Sequence, residues 1–406
     1  MDAIVSNAEI KPVSGEKAKP YRWLILMTAW FGYLLSFVSR LLWTSVGSSA
    51  SESFGLSLAA LGLFVSAFYV GYIASTALAG LGSDRFGPRL MLACSLVPLG
   101  VLTFLFGFTS SVVPGFILQA LMGLMAGADF SSGIKLIISW FRRNERGRAM
   151  GLFMTATSLG LVVTNLIAPR LLEFTDWRHV YHYLGIFTIV YGLFCYAVVR
   201  DNPNGDKISP VNWRQIRSLA RNRQYVLAVI AGVGGIWGAW GFGIWSNALM
   251  TKGLQFSPVV AGSIVASFGV IAVISKPLIG LLSDMLGGRR RTIVMVDLFM
   301  FAGLLLLTAC LTTEAQFWIV VPLMGVTAFS YSPLQNAMAA EAGGDAAGSA
   351  AGISVAIDSI SVSLVPLVIG YAFSTTGSYA VAFAVLAVGP LIGALAMIPA
   401  RDSTGH

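Results

Sequence analysis

Charge is what this chain has least of. Lys and Arg number 26 and Asp and Glu 18 in 406 residues, while 56% of positions are hydrophobic. With a mean hydropathy of +0.78, a soluble domain would expose apolar patches far beyond what such domains carry, so the composition describes a membrane protein. Cysteine is also scarce. Cys94, Cys195 and Cys310 all lie inside apolar runs, which excludes a disulfide framework or a metal cluster and makes them small hydrophobes. Of the three histidines, His179 and His182 have no nucleophile beside them and His406 is terminal. No phosphate-binding Gly-Lys-Ser/Thr loop occurs, so neither an enzyme nor an ATP-driven machine is expected, and no cofactor or metal. The first twenty residues lack a short apolar core ahead of a small-residue cleavage site, so no removable signal peptide is expected. The net charge of +8 sits in short loops between apolar runs, which does not match a nucleic-acid surface.

What is present is length in the apolar runs. About 20 consecutive apolar residues span a bilayer as a helix. Twelve such runs are predicted, at about 23–47, 57–82, 89–109, 114–141, 149–171, 179–199, 224–250, 257–282, 291–311, 316–340, 346–373 and 379–399. Of the 26 basic residues, only Arg170, Arg178 and Lys252 fall on one side and Arg40, Lys135 and Lys276 inside spans. The rest share the side of the termini, which places both termini in the cytoplasm and the chain in the cytoplasmic (inner) membrane. The break at 200–223, rich in Pro, Asn and basic residues, reads as a cytoplasmic linker between a first unit (1–199) and a second (224–406).

The stretch "GLGSDRFGPR" (80–89) returns as "GLLSDMLGGR" (280–289), after the second and the eighth span. Gly80, Asp84, Gly87 and Arg89 are matched by Gly280, Asp284, Gly287 and Arg289. Recurrence at equivalent places marks the halves as repeats. Chemically, the pattern suits closely packed helix ends and a carboxylate able to cap a helix or meet a cation.

With these residues the chain resembles the major facilitator superfamily. The resemblance implies an all-α membrane protein of twelve transmembrane helices in two six-helix bundles. It further implies a cytoplasmic gate in which Asp84, with Arg85 beside it, meets the start of the eleventh span and Arg143 after the fourth. "SWFRRNERGRAMGLF" (139–153) and "DWRHVYHYLG" (176–185) are similar to the anion:cation symporter branch, whose members mostly move organic anions with protons or sodium. That branch usually has an acidic residue before the first-span Arg, where this chain has Ser39, and a Glu where it has Ala126.

An ionisable group at bilayer depth is a functional candidate by default. Arg40 shares a helical face with Tyr33, Ser36, Trp43 and Thr44, a surface for a carboxylate, sulfonate or phosphonate; snorkelling to the interface is the competing reading. Lys276 also has two readings, snorkelling or a cavity-facing cation beside Pro277. Asp129 and Asp358 are the carboxylates able to carry a coupling proton, or else to make structural pairs between helices. Trp237, Trp240 and Trp245 crowd span seven ahead of Asn247 and are either packing rings or a stacking wall for a flat solute, with Tyr331, Gln335 and Asn336 adding hydrogen bonds.

The expectation is therefore a monomeric secondary transporter, not an enzyme, that moves a small organic anion (a carboxylate, sugar acid or sulfonate) across the membrane by proton symport with alternating access. Sodium is the other coupling ion considered. A neutral planar solute such as a vitamin, drug export, and a sensor with the same fold are the alternatives.

Overall fold

The computed structural model describes residues 18–56, 58–141, 145–202, 213–286, 289–343 and 347–401. Fourteen helices occur among them: α1 (Ala18–Phe54), α2 (Leu58–Phe86), α3 (Pro88–Phe106), α4 (Val112–Trp140), α5 (Arg146–Leu171), α6 (Trp177–Val198), α7 (Trp213–Arg221), α8 (Arg223–Ala248), α9 (Pro258–Met285), α10 (Arg290–Thr308), α11 (Glu314–Thr327), α12 (Tyr331–Ala342), α13 (Ala347–Thr376) and α14 (Tyr379–Met397). A π-helical turn, Leu249–Gly253, extends α8.

Eleven candidate spans are long and apolar enough to cross a membrane. In this tally α11 and α12 make one span, Glu314–Ala342, and the apolar part of α2, Leu61–Ser75, supplies the remaining crossing. Polar caps start these helices where the sequence leaves an apolar run. The Asp176 carboxylate accepts from Arg178 N at 2.6 Å to open α6, and Asn222 caps α8 through Gln224 N at 3.0 Å. Two features were not predicted. The tenth span is broken at Ala328–Ser330, and the linker contains α7, which buries Leu219 against Tyr225 and Ala228.

The helices form two six-span bundles, in which α2 packs on α4, α3 on α6 and α1 on α5, and α8 and α10 pack on α14. The seam between bundles is made by α2 with α13 and by α5 with α9. Close approach within the first bundle depends on glycine: a Cβ at Gly123 would stand 1.8 Å from Phe68 O, and one at Gly71 2.0 Å from Ala120 O. Below, the face carrying Ala18 and Arg401 is the terminal side and the opposite face the far side.

Candidate functional site

Helix α1 is buried nearly all round from Tyr33 to Val46, so Arg40 cannot point to lipid or water, and it is only 6% exposed. Its guanidinium carbon lies 4.0 Å from the Tyr72 ring centroid and 4.2 Å from that of Phe37, with Phe68 at 5.5 Å and Tyr69 at 5.6 Å. The ring faces stabilise the cation, and the Tyr69 and Tyr72 side chains stand within its hydrogen-bonding reach. Arg40 Nε and Nη2 have no hydrogen-bond partner, and no described carboxylate lies within ion-pair distance. Asp129, fully buried on α4, is near enough for charge attraction. Its Oδ1 accepts from Phe130 N at 2.5 Å and its Oδ2 has no partner. The Ser39 hydroxyl is likewise unpartnered, and the Ser36 hydroxyl stands beside the Asp129 carboxylate. Buried polar atoms are ordinarily satisfied, and here several without a partner gather around one cation.

A layer of rings continues across to the second bundle. Phe37 meets Trp240 at 5.6 Å, Trp240 meets Phe329 at 5.8 Å, and Lys276 Nζ stands 4.9 Å from the Phe329 centroid. Lys276 then crosses the seam to donate to Ser158 Oγ of α5 at 2.8 Å. Gly160, two residues along α5 and so about 3 Å higher, packs so tightly on Phe37 that a Cβ there would be 2.7 Å from Phe37 Cβ. The two cations therefore hang in one layer around the seam. The break in the tenth span carries Phe329 into it.

Other candidates lie elsewhere. Tyr33 backs the layer, stacked on Phe153 at 4.7 Å and edge-on to Phe37 at 5.1 Å. Trp43 points toward the far side, where its Nε1 donates to Leu61 O at 3.0 Å and its ring stacks on Phe64 at 4.5 Å. The expected wall of three tryptophans is not assembled. Trp237 donates to Val385 O of α14 at 3.2 Å, Trp245 packs by Gly62 of α2, and only Trp240 joins the layer. At about 100° per residue Trp240 and Trp245 face well apart, whereas Trp237 and Trp240 share a side of the helix and are separated by the helices they meet. Tyr331 and Gln335 belong to the interior of the second bundle, each 1% exposed. Gln335 Nε2 donates to Ala228 O at 2.9 Å and to Ser354 Oγ at 3.2 Å. Asp358 and Asp297 flank Tyr331, each with one oxygen unpartnered.

In the repeated motif, the side chains of Gly80, Asp84, Arg85, Gly280 and Asp284, and the whole of Arg143 and Gly287, lie outside the described residues. Gly87 is required twice over, by φ +82° and by Asp201 Oδ2, which a Cβ would approach to 2.5 Å. Arg89 N donates to Asp201 Oδ1 at 2.9 Å and Arg89 Nε to Tyr196 O at 2.9 Å, fastening the start of α3 to the end of α6. In the second copy Arg289 is exposed, and Arg291 makes the matching contact, donating to Met397 O at 2.8 Å and Ile398 O at 2.5 Å at the end of α14.

Sequence reasoning missed the residues that close the far side. Asn247, expected at the substrate, instead donates to Asn165 of α5 across the seam. Lys252 meets Glu52 at 2.5 Å, and this bond holds the Glu52 carboxyl below its ordinary range. Ser66 Oγ donates to Ser363 O at 2.9 Å and Arg170 Nη2 to Ser263 Oγ at 3.5 Å. Asn165 was legible as the single amide inside span five; its partner was not. No group of three or more His, Cys, Asp or Glu able to hold a metal occurs among the described residues.

The family model described as Major Facilitator Superfamily matches residues 29–366 and 238–405. Among curated proteins, the chain is 23% identical to the probable galactarate/D-glucarate transporter GudP of Bacillus subtilis, over 92% of this chain and 90% of that one. It is 25% identical to the probable sulfoacetate transporter SauU of Cupriavidus necator, over 93% of each. It is 26% identical to the membrane sensor protein UhpC of Salmonella typhimurium, over 70% of this chain and 68% of that one. Among solved structures, an inward-facing bacterial homolog of the human lysosomal transporter Spinster superposes with a TM-score of 0.77 at 15% identity, over 94% of this chain and 95% of that one.

Proposed function

Because the chain belongs to the Major Facilitator Superfamily, a family of transporters and not of enzymes, we propose that it moves a small organic anion across the inner membrane by alternating access. The observation that carries this reading is Arg40, a buried guanidinium with two partnerless nitrogens and no ion-paired carboxylate. A carboxylate or sulfonate supplies the acceptors that the protein withholds, and charge-assisted bonds of this kind are strong in a dry site. The relatives named for galactarate, glucarate and sulfoacetate carry the same class of head group. The excess of Lys and Arg on the terminal side supports cytoplasmic termini, and residues 1–199 and 224–406 are the units that rock about the Arg40 layer. Bonds at the far side keep that side shut here.

Proton symport is the proposed coupling. Asp129 has Arg40 near it. Asp358 has no ion-paired cation among the described residues, so a transported proton can balance its charge. The test is uptake of galactarate and sulfoacetate into liposomes holding the purified chain. Arg40→Gln should abolish uptake with folding intact, and Asp358→Asn should leave exchange but remove its dependence on a pH gradient. Unchanged uptake by Arg40→Gln refutes the anchor. Sensing is the second reading, favoured by the relative named a sensor. Ligand-dependent thermal stabilisation without flux would support it.

A further inference from the structure

We infer that the central layer is built for a solute with two anionic ends, Arg40 holding one and Lys276 the other, so that Lys276 sets a preference for dianions over monoanions. The inference rests on the anion-transporter reading and narrows its substrate class.

The direction of the Lys276 side chain is the first support. A snorkelling Lys leads its ammonium toward the nearer interface. Lys276 instead turns across the seam to Ser158 of the other bundle. That hydroxyl uses one of the three ammonium donors, the Phe329 face offers cation–π contact at 4.9 Å, and no described carboxylate is within ion-pair distance. A cation at bilayer depth with one neutral hydrogen bond is as incomplete as Arg40.

The second support is relative position. Ser158 and Gly160 on α5 put the two cations in one layer, and Phe37, Trp240 and Phe329 line the way between them. Ring faces suit the C–H surfaces of a short carbon chain or polyol held between charged ends. Among the described residues, the carboxylate that interacts with the layer, Asp129, is on the Arg40 side. A monoanion held by Arg40 therefore leaves Lys276 with one hydroxyl and one ring, whereas a second carboxylate, sulfonate or phosphate completes it. Arg40 belongs to the first bundle and Lys276 to the second, so a dianion also bridges the two parts that move against each other.

The experiment measures Kd for the purified full-length chain by thermal-shift titration, using galactarate against galactonate and sulfoacetate against methanesulfonate. The wild type should bind each dianion about tenfold or more tightly than its monoanion, the size of one charge-assisted bond. Lys276→Gln should bring that ratio close to one, Lys276→Arg should keep it, and Arg40→Gln should weaken both members of each pair. A wild type that binds galactonate as tightly as galactarate overturns the inference without reference to any variant, as does a Lys276→Gln ratio equal to that of the wild type. If no anion binds the wild type, the transporter reading falls with it. If anions bind without dianion preference, only the inference falls.

Discussion

Removing the Asn165 side chain should tilt the carrier toward opening at the far side. Asn165 is fully buried. Its Oδ1 accepts from the Asn247 amide across the seam and from Ser45 Oγ at 3.3 Å within its own bundle, while its Nδ2 donates to Leu161 O at 2.8 Å. Asn165→Ala strands the amide of Asn247, itself only 5% exposed. In soluble proteins an unmade buried bond costs about 1–3 kcal/mol. Between membrane helices the measured mean is about 0.6 and the maximum about 1.7 kcal/mol, and this second scale applies at seam depth. With the far side open, water reaches both amides and nothing is lost. At about 1.4 kcal/mol per tenfold, the closed-to-open ratio should fall by about three- to twentyfold. Spin labels at Phe174 and Thr312, both exposed far-side positions, report the opening as a distance distribution. Cys94 and Cys310 are exposed and must be replaced; Cys195 is buried and can stay. Asn165→Ala with Asn247→Ala should shift the ratio no further than either alone. An unchanged distribution, or one moved to shorter distances, would refute the reasoning.

Two further outcomes are expected. Glu52 is held below its ordinary carboxyl range by Lys252, so its contribution to far-side closure is present at neutral pH and is lost as pH falls through its lowered value. The same spin-label pair should show opening only as pH falls below the ordinary carboxyl range, and Glu52→Gln should abolish the response; a response retained in that variant assigns it elsewhere. A Cβ at Gly123 would overlap Phe68 O at 1.8 Å, so Gly123→Ala should cost about 1–3 kcal/mol. This would be read as earlier reaction of buried Cys195 with a thiol dye on heating, and an unaltered midpoint would contradict the packing.

Crossing number and the paired halves were legible because a hydrocarbon solvent imposes one long apolar window per helix. The break at Ala328–Ser330 was missed although the sequence signals it, since Pro333 has no N–H to give to Phe329 O four residues back. Arg40 and Lys276 stood out because the membrane excludes charge, whatever surrounds it. Trp43, Tyr331 and Asn247 were misplaced for a different reason. The helices around the central layer are buried on most sides, so periodicity says which residues share a face but not which helix that face meets. Asn165, Ser158 and Glu52 acquire meaning only from partners 82, 118 and 200 residues away.

On the proposed alternating-access reading, Arg40 and Lys276 would also make the carrier an electrical device. When the bundles rock, water withdraws from one face of the central layer and enters from the other, so two fixed positive charges change their place in the membrane potential without moving far. Each full charge carried through that potential is worth about 2.3 kcal/mol per 100 mV. The empty carrier holds the two cations against the Asp129 and Asp358 carboxylates and the loaded one adds a dianion and a proton, so the two strokes carry different net charge and voltage acts on them unequally.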